Sequence, residues 1–215
     1  MRINKFLSSL GIASRRAIDK YIEEGRIKVN GVITSTGIDV TEDDEIYIDN
    51  KKIETKRIEE KVYFMLNKPL EVLSASSDDR GRKTVVDLIK TDKRIFTIGR
   101  LDYMTSGLIL LTNDGELFNR LVHPKSEIYK KYYIKVFGEV KKEEIEELKK
   151  GVLLEDGKTL PAKISGIKYD KNKTSMYISI REGRNRQIRR MIEKFGYKGL
   201  MLRREKIGEL FLGDL

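Results

Sequence analysis

The chain has 215 residues, 39% hydrophobic and 36% charged, with no cysteine, a single histidine and a formal net charge of +10. This length and apolar content support one large domain, or a small module followed by a medium one. The missing thiol excludes disulfides, a cysteine nucleophile and cysteine-based zinc sites, and the lone His123 supports neither a triad nor a metal cluster.

The positive excess points to a polyanionic partner, because Lys and Arg bound to phosphates release condensed counterions. Its distribution is uneven. Residues 1–60 hold 11 Lys and Arg against 12 Asp and Glu, so the whole excess lies in 61–215; the stretch 181–206 alone holds 10 basic and 3 acidic residues. That concentration favours nucleic acid over an evenly solvated basic surface. Apolar runs such as "VYFML" (62–66) and "LILL" (108–111) fall far short of a bilayer span. The N-terminus "MRINKFLSSLGIASRR" carries charge too early for a signal peptide, so a cytoplasmic location and no membrane partner are expected.

In chain order, Ile3, Phe6, Leu7 and Leu10 recur at helical spacing, with Gly11 suited to the helix end. Ser14 caps a second helix with the apolar face Ala17, Ile18, Tyr21 and Ile22, ending at Gly25. "RIKV" (26–29) alternates like a strand, "NG" (30–31) is a hairpin turn and "DEIYID" (44–49) is a further strand. Lys5, Arg15, Arg16, Lys20, Arg26 and Lys28 occupy the first half of this module, while "DVTEDDE" (39–45) gathers acids in the second. Two short helices, "GRIKVNG" and a small sheet resemble an S4 RNA-binding domain. The resemblance implies that these six cations form a face gripping RNA backbone. The polar "KKIETKRIEEK" (51–61) reads as a linker.

From Val62 onward strands are expected at 62–67, 94–99, 108–112, 132–140 and 173–181. Helices are expected at 85–89, 116–122, 142–151 and 185–196, the last with Ile188, Met191, Ile192 and Phe195 on one face. Strands and helices interleave without regular alternation, which favours an α+β fold on a mixed, mainly antiparallel sheet. "GVLLEDGKT" (151–159) lacks the glycine spacing of a phosphate loop and is a turn between strands. Asp114 belongs to an Asn-Asp-Gly turn before the 116–122 helix.

"GRLDYMTSGLILLTNDG" (99–115) places one acid, Asp102, ahead of an apolar run. With "MLNKPLEVLSASSDDRGRKTVVDLI" (65–89), "YKKYYIKV" (129–136), "EGRNRQIRRM" (182–191) and "LRREKIGELFLGDL" (202–215), it resembles the pseudouridine synthases, in the branch that includes RsuA and RluB. The resemblance implies an S4-like domain at 1–60 and a catalytic domain at 61–215 that uses neither metal nor cofactor. By the same resemblance Asp102 is the essential aspartate and Arg189 pairs with it, since a carboxylate in an apolar pocket calls for a neighbouring cation. Tyr133 matches the tyrosine that stacks on the target base; Tyr132 points to the opposite face of the strand, so a shift of one residue would exchange the two. Arg100 matches the residue that helps extrude the nucleotide, and Arg184, Arg186 and Arg190 of the basic motif are assigned to RNA. "DDRGRKTVVDLI" and "HPKSEIYKKYYIKV" are closer to the large-subunit type, which implies a 23S rRNA uridine, with a 16S uridine as second reading. The substrate is naked RNA or an assembling ribosomal subunit, and a monomer is the family-like state. Relatives of this kind continue in a short tail beyond "LGDL". The reading from another class is a non-catalytic S4-type rRNA-binding protein.

Overall fold

The computed structural model describes residues 1–56, 59–123 and 126–215. Arg57 and Ile58 of the expected linker, and Pro124 and Lys125 beside His123, lie outside them. Two compact units are present: one of residues 1–63 with 91–95 and 112–115, the other of 64–90, 96–111 and 116–215. Among the described residues no helix is long and apolar enough to cross a membrane.

The first unit opens with α1 (Ile3–Ser9) and α2 (Arg15–Glu23). Ser14 Oγ accepts the Ala17 N–H at 3.0 Å, so α2 starts at the capping serine the sequence indicates. β1 (Ile27–Val29) and β2 (Val32–Ile33) are joined by Asn30 and Gly31, both at positive φ, the conformation a two-residue type I′ turn demands. β3 (Ile46–Ile48) and β4 (Lys51–Lys52) complete a sheet of order β2-β1-β3-β4. The expected linker therefore begins as an edge strand, with Lys52 opposite Tyr47. Ile3, Leu7, Ile18, Ile22, Ile27 and Ile46 form the core between helices and sheet.

The second unit is built on eight strands. β5 (Tyr63–Lys68), β6 (Phe96–Ile98) and β7 (Ser106–Thr112) precede α3 (Gly115–Val122), with one turn of 3-10 helix at Val86–Leu88. β8 (Lys130–Phe137) and α4 (Lys142–Lys150) follow, then the two-stranded hairpin β9 (Leu153–Leu154) and β10 (Gly157–Lys158) within "GVLLEDGKT". β11 (Lys163–Tyr169), β12 (Lys173–Ile180), α5 (Gln187–Glu193), β13 (Lys198–Ile207) and β14 (Leu210–Phe211) end the chain. The sheet order is β11-β12-β8-β13-β7-β5, with β14 on β13 and β6 on β7. β11–β12, β12–β8 and β8–β13 are antiparallel, whereas β13–β7 is parallel, so the sheet is mixed and mainly antiparallel as expected. β11 escapes a periodicity reading because "KISGIKY" is polar and carries a bulge between Ser165 and Lys168.

The parallel junction has a steric requirement. Gly107, at φ +104°, faces Arg204, and a Cβ there would lie 2.3 Å from the Arg204 carbonyl oxygen. The glycine of "TSGLILLT" is what lets β7 approach β13.

Candidate active site

Asp102 sits in the loop between β6 and β7, and several segments fasten that loop. The Thr105 N–H closes a turn onto the Asp102 carbonyl at 3.0 Å. Ser74 Oγ donates to the Leu101 carbonyl at 2.8 Å and accepts the Leu101 N–H at 3.0 Å, while the Glu71 N–H donates to the Tyr103 carbonyl at 2.9 Å. Lys68 braces the turn that presents Glu71. Its side chain is fully buried, and Nζ donates to the carbonyls of Pro69 (2.8 Å) and Val72 (2.7 Å). Burial lowers this ammonium from 10.5 to about 8, with the Asp102 charge opposing the shift. The "NKPLEVLS" stretch is thus a platform for the Asp102 loop.

Asp102 lines a cavity of about 790 Å³ together with Arg100, Thr105, Lys130, Tyr132 and Arg204, while Ile98, Leu121, Ile188 and Leu202 supply apolar wall. Glu182 also lies on this wall, but its carboxylate is occupied. It accepts the Leu160 N–H at 2.8 Å, Gln187 Nε2 at 2.6 Å and Arg184 Nε at 3.2 Å. That leaves Asp102 as the carboxylate available to a bound molecule. Arg204 is 2% exposed: Nε donates to the Leu108 carbonyl at 2.7 Å, Nη1 lies 3.5 Å from the Tyr132 hydroxyl, and Nη2 is buried without a partner. Lys130 is pushed below the usual lysine range by burial and then by the Arg204 charge. That nitrogen is an unmet donor shut off from the open cavity, a local cost of burying the guanidinium.

Four expected placements change. Tyr132, not Tyr133, faces the cavity; Tyr133 lies on the other face of β8, with its ring centroid 5.5 Å from Tyr177. The reason is strand parity: Ile134 and Val136 are buried, and Tyr132 shares their face. That signal was present in "YYIKV". Arg189 does not pair with the Asp102 carboxylate. Its Nη2 donates to the Met104 carbonyl at 2.5 Å and lies 3.5 Å from Thr105 Oγ1, so it clasps the backbone of the Asp102 loop. Arg184 and Arg190 are not free for RNA. Arg184 donates to the carbonyls of Asp156, Gly157 and Lys158, and Arg190 makes a bidentate pair with Asp156 at 2.9 Å for each bond. These contacts tie the β9–β10 hairpin to the arginine motif.

The other candidates lie as follows. Arg100 is exposed at the cavity, and Arg186 lines it from a left-handed backbone position. In the first unit Lys5, Arg15, Arg16 and Lys20 are exposed, Lys20 lying 3.7 Å from Glu24. Arg26 is committed: it binds Asp49 through two nitrogens at 2.8 and 2.6 Å, donates to Glu24 at 3.0 Å, and its guanidinium lies 4.1 Å from the Tyr21 ring centroid. Lys28 Nζ donates to Asn50 at 3.2 Å. Among the described residues no cluster of His, Asp and Glu could hold a metal ion. Arg204 was missed because an arginine in a charged stretch looks like surface; its burial depends on the parallel β7–β13 junction.

Comparison with known proteins agrees with this geometry. Residues 62–194 match the RNA pseudouridylate synthase family and residues 1–46 the S4 domain. The chain is 49% identical over 218 residues to ribosomal large subunit pseudouridine synthase B of Bacillus subtilis (strain 168), covering 100% of this chain and 88% of that one. An uncharacterized RNA pseudouridine synthase of Aquifex aeolicus (strain VF5) is 44% identical, covering 100% of this chain and 87% of that one. A crystallised pseudouridylate synthase superposes with a TM-score of 0.69 at 31% identity, over 100% of this chain and 91% of the other. The chain therefore belongs to the RNA pseudouridylate synthase family, as an enzyme with an S4 domain ahead of its catalytic domain.

Proposed function

We propose that this enzyme converts one uridine of the large-subunit 23S ribosomal RNA to pseudouridine, with residues 1–60 holding RNA and 61–215 carrying the chemistry. The observation that carries the reading is Asp102 lining a cavity whose other acid, Glu182, is hydrogen-bonded through both oxygens. The isomerisation breaks the N1–C1′ bond, turns the base and joins C5 to C1′; the C5 proton is lost and N1 gains one, so the formula is unchanged. Asp102 acts at the ribose, by attack at C1′ or by taking the C2′ proton. Tyr132 takes the role expected of Tyr133, lying against the base and assisting proton transfer at C5. Arg189 is a positioning residue that holds the Asp102 loop, and Arg204 lies beside the Tyr132 hydroxyl in the cavity wall. Arg100 fills the space of the extruded nucleotide, whose unstacking costs a few kcal/mol that backbone contacts offset. Arg186, Lys5, Arg15, Arg16 and Lys20 supply such contacts. The enzyme acts as a cytoplasmic monomer on naked RNA or on an assembling subunit.

The large-subunit substrate is favoured because a relative 49% identical over the whole chain carries that name. Tritium release from C5-labelled uridine in separate large- and small-subunit transcripts tests it. Release from the large-subunit transcript alone, lost in Asp102→Asn with RNA binding retained, is expected. Release from the small-subunit transcript alone would overturn the choice of subunit. Binding without release from either transcript or from assembling particles would favour a non-catalytic RNA-binding protein.

A further inference from the structure

The face of the large sheet opposite the cavity carries an unusual set of side chains. Directly paired residues on neighbouring strands share a face, so the registers across β11, β12, β8 and β13 define it. One row is Lys163, Ser179, Lys131 and Lys206. The next is Ser165, Tyr177, Tyr133 and Arg203, followed by Lys168, Ser175, Lys135 and Met201. The last is Lys173, Phe137 and Lys198. These positions hold eight cations and no carboxylate. Two neighbouring acids reach them from outside the rows: Glu205 pairs with Arg203 at 2.6 Å and Glu209 with Lys206 at 3.1 Å.

Folding does not favour this arrangement. Lys131 and Lys206 stand directly opposite one another, and like charges in that relation destabilise a sheet. The aromatic residues lie among the cations: the Lys131 ammonium is 4.2 Å from the Tyr177 ring centroid, and Phe137, between Lys173 and Lys198, is 52% exposed. On β8, Lys131 and Lys135 stand four residues, about 13 Å, apart with Tyr133 between them; cations interleaved with aromatic rings suit a single-stranded nucleic acid, whose phosphates need charge and whose bases need flat apolar partners. A polyacidic protein would match the charge but leave the rings unused.

We propose that this face is a second RNA-binding surface, engaging a single-stranded segment of the substrate RNA on the side of the sheet away from Asp102. The inference extends the RNA reading of the enzyme, but it does not require that the isomerase activity or its large-subunit target be as proposed.

The test uses the full chain and about ten nucleotides of oligoadenylate, which contains no uridine to occupy the cavity. Anisotropy titrations over a range of salt compare wild type with a Lys135→Ser/Lys168→Ser/Lys173→Ser variant. Loss of three single-strand phosphate contacts lowers the salt slope by about 2 and the affinity by about a hundredfold near 0.1 M salt. The matching triple Lys→Arg variant keeps both, and a melting curve verifies that each variant is folded. Tritium release from a short target hairpin stays at wild-type level, which separates this face from the cavity. An unchanged affinity and salt slope in a folded serine variant would overturn the proposal and leave the face to an acidic protein. If no isomerase activity is found but the serine variant loses oligoadenylate, the proposal stands and the isomerase reading fails.

Discussion

Exchanging the roles of two adjacent tyrosines yields the sharpest prediction. Tyr132→Phe removes one hydroxyl from the cavity and changes little else. Its contact with Arg204 Nη1, at 3.5 Å, is at the long limit of a hydrogen bond, so the stability lost is about 0.5–1 kcal/mol. If the phenol assists proton transfer, turnover falls about 10²- to 10⁴-fold, equivalent to about 3–5 kcal/mol of barrier. Tyr133→Phe keeps the edge contact with Tyr177 and removes a hydroxyl on the far face; turnover of a short hairpin stays within about twofold. Single-turnover tritium release, with urea titrations of both variants, separates catalysis from folding. Full activity in Tyr132→Phe with loss in Tyr133→Phe would refute the strand-parity argument.

Gly107→Ala forces a Cβ to within 2.3 Å of the Arg204 carbonyl at φ +104°; a loss of at least about 3 kcal/mol in urea unfolding is expected, and near-native stability would contradict the close approach. Asp156→Ala releases Arg190 from the hairpin, while Arg184 keeps its bonds to the backbone carbonyls there. Amide exchange over 153–158 should quicken while RNA affinity holds or rises, and a clear fall in affinity would argue against a purely structural role for the pair. Lys68 sets a pH dependence. In the folded chain it loses its proton near 8, whereas unfolded it holds it to about 10.5. The unfolded chain therefore binds more protons between those values, and this group's contribution makes stability rise with pH there. Urea midpoints of wild type should climb relative to Lys68→Met across that window; parallel curves would refute the buried-ammonium account.

Local chemistry determined much of this protein from sequence alone. Ser14 capped its helix and Asn30-Gly31 turned its hairpin because each choice is made within four residues of chain. The position of Asp102 in a loop before an apolar strand was equally legible, and the parity of Tyr132 is written in the apolar Ile134 and Val136 that share its face of β8. Tertiary structure decided the arginines. All sit in stretches of similar charge, yet Arg184 and Arg190 close on Asp156, 28 and 34 residues away, and Arg189 reaches Met104 across 85 residues. Arg204 is buried because Gly107 lets two distant strands meet. A guanidinium's partner is set by which acceptors folding brings within about 3 Å and how much water it removes, and neither quantity is written in the residues beside it.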